Sequence, residues 1–422
     1  MNGSYASLTE PTSGLAAGTQ FDTIYSDTTL DLVTTPVSYA NLTAAGLTDT
    51  RNRVNLGHAI DGYRLAPGVR MTGDRNTVLG ALYSLPGAAI APAMNQIAGT
   101  VYADAMNTAQ SLDTMFASAA EDHTIGGDSM MVNLSANQRT GMTAMNEAPA
   151  ETDSVMGPFW ARGLGQWSTT ATDGNAPAYH STAGGLVLGM DIPLHSRAKL
   201  GASFGYAHAN ITTTNGATAT LNTERLSVYG GAKSGDFRFD GELAGALVQY
   251  SAKRLLEVGT LARTANGSTT GLNFSINATT HYGDGLVQPF LQVGFDHVGR
   301  SSFNEANAGD LSLNVKDNDL DNARTLLGFD LKTAGTTYGF GARLAWAHDF
   351  ASSDTALDAA LSGSPSGTYT VYSSKTGRDA AVMKLSLTAK LGSGIDGYLS
   401  YGGEVRDRQA TQTAALGARW TW

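Results

Sequence analysis

The chain of 422 residues contains no cysteine. Disulfide frameworks, zinc–thiolate sites and thiol nucleophiles are thereby excluded. Charge is also scarce: Asp, Glu, Lys and Arg make up 15% of the residues, against roughly 25% in an ordinary soluble domain. The 27 basic residues are outnumbered by 37 acidic ones, giving a net charge of −10 and a pI near 5.2. That balance is the opposite of the basic stripe a nucleic-acid binder carries. Long apolar runs are missing as well. A membrane-spanning helix needs ~20 such residues, and the best stretch, 86–101, is interrupted by Pro92, Asn95 and Gln96. Met1 is followed by Asn-Gly-Ser-Tyr-Ala-Ser, with neither a basic nor an apolar leader segment, so an exported protein is expected here as a mature piece or a fragment.

What fills the space is 50 Gly together with Ala, Ser, Thr and Asn, and mean hydropathy is −0.14. Hydrophobic residues still reach 42%, with Tyr, Phe and Trp spread along the chain, which argues against disorder. The composition therefore implies a β-rich protein, either soluble or a membrane barrel.

Organisation changes along the chain. Residues 1–40 read as short strands and turns around Phe21–Tyr25 and Leu30–Val33. Residues 41–120 are helical in pattern, with Asp49 placed to cap a segment through Tyr63 and Asp74 to cap Arg75–Tyr83. Over 87–119, Ile90, Met94, Ile97, Val101, Met106, Leu112 and Met115 recur at helical spacing. Residues 121–154 are polar and aperiodic, as a linker is.

From Gly157 the period becomes two. Tyr338, Phe340, Ala342, Leu344 and Trp346 alternate with Gly339, Gly341, Arg343, Ala345 and Ala347. About twelve strands follow, with cores near 158–169, 180–191, 197–212, 219–232, 236–251, 263–282, 286–300, 320–332, 336–349, 369–390, 395–407 and 410–422. Many exceed the ~9–11 residues that cross a bilayer. Tight Gly turns (233–236, 282–285, 333–336, 391–395) alternate with longer links at 253–261, 301–319 and 350–369. A meander with short turns on one side and long loops on the other fits an outer-membrane barrel.

With the apolar face outward, the other face lines a lumen. It holds Arg162, Arg225, Arg238, Asp240, Glu242, Asp296, Arg324, Asp330, Arg343, Asp396, Glu404, Arg406 and Arg419, of mixed sign and able to pair across strands or grip a polypeptide in the pore. Phe159, Trp160, Trp167, Tyr338, Trp346 and Phe350 lie near strand ends, where an aromatic girdle sits at headgroup level.

The stretch 157–422 resembles the translocator β-domain of classical autotransporters, the type V secretion proteins of Gram-negative bacteria. The likeness is carried by Val287-Gln-Pro-Phe-Leu-Gln-Val-Gly-Phe-Asp-His-Val298 with Phe303-Asn-Glu305, by Arg324–Leu331, by Leu344-Ala-Trp-Ala-His-Asp-Phe350 and by Tyr398–Glu404. The end, Leu416-Gly-Ala-Arg-Trp-Thr-Trp422, is similar to the signal read by the barrel assembly machinery, with Leu416, Gly417, Trp420 and Trp422 as its residues and Trp in place of the usual Phe.

The resemblance implies a mainly β fold: a twelve-stranded antiparallel transmembrane barrel (155–422), a helical junction or pore segment (41–120), a linker (121–154) and a short remnant of a β-helical passenger (1–40). It implies an outer-membrane translocator and anchor that exports its own N-terminal passenger to the cell surface. The expected partners are outer-membrane lipid, the assembly machinery, periplasmic chaperones and the chain's own passenger, with no nucleic acid. A monomer without cofactor or enzymatic activity is expected.

Two other classes stay open on the residues alone: a self-processing or esterase-bearing barrel, and a porin-like channel. Gly127-Asp-Ser-Met130 is similar to an esterase block but lacks a companion His-Asp. Asp317, Asp319 and Asp321 alternate like a calcium loop without its Gly and Glu. No HExxH and no Asn-Asn pair occurs, and the neighbours His348 and Asp349 fall on opposite faces of a strand.

Overall fold

Residues 237–258, Phe-Arg-Phe-Asp-Gly-Glu-Leu-Ala-Gly-Ala-Leu-Val-Gln-Tyr and onward, alternate exposed and buried at every position. This is the pleat expressed in sequence: one face is Phe, Leu and Gly, the other Arg, Asp, Glu, Ala and Val. Repeated along the chain, that alternation builds most of the molecule. The computed structural model describes residues 8–9, 13–123, 159–195, 198–334, 337–364 and 367–421.

The N-terminal part holds strands β1 (Thr19–Tyr25) and β2 (Leu30–Pro36), then helices α1 (Arg51–Tyr63), α2 (Gly73–Tyr83), α3 (Gly87–Ala98) and α4 (Val101–Glu121). β1 and β2, in the stretch expected as a β-helical remnant, pair antiparallel with each other. Thr50, rather than Asp49, caps α1 by accepting from the Arg53 amide. Asp49 instead accepts from the Leu42 and Thr43 amides. The continuous stripe expected over 87–119 breaks at Gly99, whose φ of +83° turns α3 into α4 where a Cβ would meet Leu313 at 2.5 Å.

Next come β3 (Phe159–Thr170), β4 (Tyr179–His195), β5 (Ala198–Thr213), β6 (Thr218–Ser234), β7 (Phe237–Val258), β8 (Leu261–Tyr282), β9 (Val287–Arg300), β10 (Phe303–Asn304) and β11 (Leu313–Val315). They are followed by β12 (Asn318–Ala334), β13 (Tyr338–Asp349), β14 (Ala356–Leu361), β15 (Thr368–Tyr372), β16 (Asp379–Gly392), β17 (Ile395–Arg406) and β18 (Gln409–Trp420). Twelve of these close a barrel, β3 to β9 followed by β12, β13 and β16 to β18, every neighbour antiparallel. Closure leaves no strand edge, the condition for spanning lipid with strands. Leucine, phenylalanine and valine cover the outside, among them Leu188, Phe204, Leu226, Leu247, Leu272, Phe329 and Leu344. No helix among the described residues is long and apolar enough to cross a membrane.

β10, β11, β14 and β15 form a second, four-stranded sheet from the two long loops at one rim. The single strand expected at 369–390 is thus two, because Ser373–Arg378 steps from this sheet into the barrel. The long link expected at 253–261 is absent. β7 and β8 continue to a two-residue turn at Gly259, because Ala252, Arg254, Leu256 and Val258 find an inner surface to bury against beyond the membrane. That surface is a cap made of β1, β2 and α1–α3, which shares one apolar core with the loop sheet and the lumen. Asn52 and Asn55 of α1 finish the free edge of β15: Asn52 exchanges bonds with the Tyr372 N–H and C=O (2.9 and 2.8 Å), and Asn55 donates to the Thr370 carbonyl at 2.7 Å.

The seam between β18 and β3 closes the barrel, from Gln409 opposite Thr170 to Trp420 opposite Phe159. Tyr398 of β17 lies over Gly417 of β18, and its hydroxyl donates to the Ala161 carbonyl of β3 at 3.2 Å. A Cβ at 417 would stand 2.1 Å from that hydroxyl and 2.3 Å from the Ala161 oxygen. Gly417→Ala is therefore expected to lower the folded fraction of refolded protein several-fold, read as loss of the fast-migrating band of unheated samples on a gel. Unchanged migration and yield would show that the stitch over Gly417 is dispensable.

The helix-filled lumen as candidate functional site

The lumen is occupied by α4. At 1.5 Å per residue its 21 residues span about 31 Å, the depth of a barrel wall. Its first turn sits at the long-loop rim, where the Tyr102 hydroxyl donates to Glu305 Oε1 at 2.6 Å. Its last turn reaches the short-turn rim. There Asp122 accepts from Arg162 of β3 at 2.5 Å and from Lys384 of β16 at 2.8 Å. The His123 ring lies flat on Trp160, centroids 4.0 Å apart and 5° from parallel.

One side of the helix is apolar and small. Met106, Ala109, Met115, Phe116, Ala119 and Ala120 are buried, and the helix lies closest to β5–β7, whose inner face is cut down to Gly205, Ala207, Ala209, Ala219 and Ala246. Gly205 is needed there, since a Cβ would meet the Phe116 ring at 2.6 Å. The other side carries Gln110, Ser111, Thr114 and Ser118 and leaves a polar cavity of about 250 Å³ against β12–β18. Between the two faces Asp113 accepts from Asn273 at 2.7 Å and stands 3.8 Å from Arg225. Asp104 is fully buried, with neither carboxylate oxygen hydrogen-bonded.

The charges expected in the lumen, Asp296 apart, meet partners. Arg225 donates to Glu242 at 2.8 Å; Arg238 donates to Gln288 at 2.6 Å and Asp284 at 2.5 Å. Arg343 grips Asp330 through two bonds of 2.7 and 2.8 Å and reaches Glu121 of α4 at 3.0 Å. Behind Asp330, His281 Nε2 lies at 3.0 Å, and its Nδ1 is 3.7 Å from Asp240. Arg324 meets Glu404 at 2.6 Å, Arg406 bridges Asp349 and Glu404, and Arg419 donates to Asp396 at 3.2 Å. Asp296 is buried near the helix, lining the cavity. A chain of polar contacts, Asp240–His281–Asp330–Arg343–Glu121, thus crosses from wall to helix near the short-turn rim. Within this layer each carboxylate meets an opposite charge or a donor, the arrangement that offsets desolvation.

Sequence reasoning located the wall charges but missed their partners on the helix, Asp113, Glu121 and Asp122, which it read as helix or linker. It also missed Lys384 and the buried pair Arg254–Glu305. One girdle assignment is corrected: Trp160 is 1% exposed and faces the lumen, donating to the Tyr229 hydroxyl at 2.7 Å. Adjacent strand residues point to opposite faces, so Phe159 and Trp160 could not both face lipid. Phe159, Trp167, Tyr338, Trp346 and Phe350 are exposed on the outer face. Of the C-terminal group, Leu416 and Trp420 face outward and Gly417 lies under Tyr398, while Trp422 falls outside the described residues. So does the Gly127–Met130 block. His348 and Asp349 separate as expected, His348 to Asp379 outside and Asp349 to Arg406 inside.

In the cap, the Arg263 guanidinium at the tip of β8 clasps Asp74 of α2 and holds its carboxyl below the usual range. Asp319 and Asp321 are exposed on the outer face.

A closed twelve-stranded barrel with an apolar exterior, charged lumen, short turns at one rim and long loops at the other defines an outer-membrane β-barrel threaded by its own N-terminal chain. A family model described as "Autotransporter beta-domain" matches residues 159–402, more than half of the chain. The protein belongs to the autotransporter family and is the outer-membrane translocator of an N-terminal passenger in a Gram-negative bacterium. Two proteins of Serratia marcescens, each named extracellular serine protease, are 22% and 20% identical over 62% of the chain. The chain spans 26% of the length of either. The translocator domain of the autotransporter NalP from Neisseria meningitidis shares the fold, with a TM-score of 0.55 at 16% identity, covering 77% of this chain and 100% of that one.

Proposed function

We propose that the barrel passes the polypeptide upstream of α4 to the cell surface, and that residues 13–123 then seal the route it took. The supporting observation is topological. The cap residues precede the barrel in sequence yet sit at the long-loop, extracellular rim, whereas β3 begins at the opposite rim. Only a chain running through the lumen connects the two, and α4 is that chain. The barrel contributes no reaction step. Its walls offer paired charges that a passing segment can borrow, and the small residues facing α4 leave width for a helix.

By resemblance, the barrel assembly machinery reads Leu416, Gly417, Trp420 and Trp422, and periplasmic chaperones escort the unfolded chain. The barrel works as a monomer, anchored by residues 155–422, with 41–120 as junction, 121–154 as linker and 1–40 as the passenger stub. Because the protein has no cysteine, a single Thr28→Cys in the exposed β1–β2 turn reports on one site alone. In intact cells a membrane-impermeant maleimide is expected to label Thr28→Cys, while Asp236→Cys at the short-turn rim stays unlabelled until the outer membrane is breached. Labelling of both only after breach would overturn the export of the cap.

A further inference from the structure

Asp296 differs from the other lumen charges in what surrounds it. Its side chain is 9% exposed, and among the described residues nothing donates a hydrogen bond to its carboxylate or pairs with it. It faces instead the polar cavity of about 250 Å³ beside α4, of whose wall it forms part. Ser352 and Arg378, exposed at the long-loop rim, line the same cavity, which therefore communicates with the outside medium. A buried carboxylate without a counter-charge is costly to hold.

The cations nearby are already committed. Arg225 and Arg324 are the guanidiniums that bear on Asp296, with Asp113 and Asp349 of its own sign. Arg225 donates to Glu242 at 2.8 Å and Arg324 to Glu404 at 2.6 Å, while Arg406 is held between Asp349 and Glu404. Five carboxylates (Asp113, Glu242, Asp296, Asp349 and Glu404) thus share three guanidiniums (Arg225, Arg324 and Arg406), an excess of two negative charges. Arg300, two inward positions further along β9, donates to the Ser301 and Lys316 carbonyls instead.

Neutral oxygens lie in the same part of the wall. Gly294 is the preceding inward residue of β9, and a Cβ there would stand 2.5 Å from Asn277 Oδ1. The missing side chain thus lets the Asn277 amide oxygen, reaching over from the facing position of β8, lie in the row between Gln292 and Asp296. Gln292 and, from α4, Gln110 and Thr114 also line the cavity. One carboxylate among neutral oxygens suits a single positive charge. A calcium site takes about 6–8 oxygens, several of them from carboxylates, and among the described residues no group of three or more His, Asp and Glu is placed to hold such an ion. The charges of Arg225 and Arg324 oppose a divalent ion further.

We propose that Asp296 and the Asn277 amide oxygen bind one alkali-metal cation, Na⁺ or K⁺, in the cavity between the barrel wall and α4, with the other amide and hydroxyl oxygens of the lining as further ligands. The ion enters from the medium at the long-loop rim and offsets one of the two excess negative charges. The site rests on α4 filling the lumen, because Gln110 and Thr114 form its other wall. It adds to that reading a plug whose hold on the barrel depends on the cation outside.

The test uses the full chain folded in detergent micelles, in sodium chloride, potassium chloride and N-methylglucamine chloride at one ionic strength, so that general screening is constant. N-methylglucamine is too large for the site. The readout is the exchange rate of the slowest α4 amides. An ion bound only while the helix is seated slows them by the factor 1 + [ion]/Kd, about tenfold when the ion stands at ~10 times its Kd. Replacing the better of the two alkali cations by N-methylglucamine is therefore expected to speed exchange several-fold. In Asp296→Asn, which keeps the shape and loses the charge, the three salts are expected to give equal rates. Gly294→Ala places a methyl where the Asn277 oxygen lies and is expected to cut the salt effect several-fold with Asp296 intact. Equal rates in all three salts for the unaltered chain overturn the site and leave Asp296 as a carboxyl neutralised by its own proton. A salt effect that survives in Asp296→Asn overturns it as well. If Asp296→Asn does not fold, Gly294→Ala decides, and full retention of the salt effect there overturns the site. Fast exchange of α4 in every salt would instead overturn the helix-filled lumen, and the site with it.

Discussion

Deleting residues 1–123 is expected to raise the conductance of the reconstituted barrel by at least ~10-fold, because an α-helix with its side chains is about 10–12 Å across and fills the lumen it vacates. The shortened chain keeps its wall. β3 pairs with β18 along its full length, and no strand is contributed by the deleted part. Single-channel recording in planar bilayers compares the full chain, expected near closed, with the deletion. The deletion also changes the sign of the lumen. Asp104, Asp113, Glu121 and Asp122 leave with α4, while Arg162, Arg225, Arg343 and Lys384 stay behind with fewer partners. The open pore is therefore expected to favour anions, seen as a shift of the reversal potential under a salt gradient. Equal conductance of the two forms would mean that α4 does not close the route, and the cavity beside the helix would then be the conducting path.

The barrel was legible in the sequence because its signal is periodic and repeated. A strand such as β7 announces its two faces at every residue, and the Gly turns fix which rim is which. The wall charges were legible for the same reason, since parity alone places Arg225, Asp330 and Arg343 inside. Parity also had the power to assign Trp160 to the lumen, but aromatic clustering near Phe159 outweighed it in the reading. What could not be read was every contact made between distant segments. Nothing local marks Asp122 as the partner of Arg162 and Lys384, or Asn52 as the cap of β15, separated by 320 residues. The extension of β7 and β8 was hidden likewise. Lys253-Arg-Leu-Leu-Glu-Val258 reads as a charged link until the cap supplies a surface on which Arg254, Leu256 and Val258 are buried. Helix existence was legible from spacing, whereas the break at Gly99 was not, because it answers to Leu313 from a loop more than two hundred residues away.

Arg254→Met is expected to loosen the plug by about 3–5 kcal/mol, the cost of leaving one member of a buried ion pair without its partner. Arg254 and Glu305 have side chains 1% and 0% exposed and are joined by two bonds of 2.5 and 2.7 Å. The guanidinium also donates to the Gln96 and Ile97 carbonyls at 2.9 Å each, at the C-terminal end of α3, where a cation is favoured by the unpaired carbonyls. Glu305 in turn accepts from the Tyr102 hydroxyl of α4 and from the Leu313 amide. One pair thus ties the β7–β8 hairpin, the turn between α3 and α4, and the loop sheet. Amide hydrogen exchange in α4 measures the loss directly: at 1.36 kcal/mol per decade, its slowest amides should exchange about two to four decades faster in Arg254→Met. Glu305→Gln should act in the same direction, since it strands the guanidinium instead. The double variant Arg254→Met/Glu305→Leu is expected to recover much of the protection, because apolar replacement of both partners removes the stranded charge. Unchanged exchange in the single variants would place the hold on α4 at its other end, in the Asp122 and His123 contacts at the short-turn rim. In that case Trp160→Ala, which removes a ring stack of the kind that contributes ~0.5–1.5 kcal/mol beyond its buried area, would speed exchange from the helix C-terminus upward.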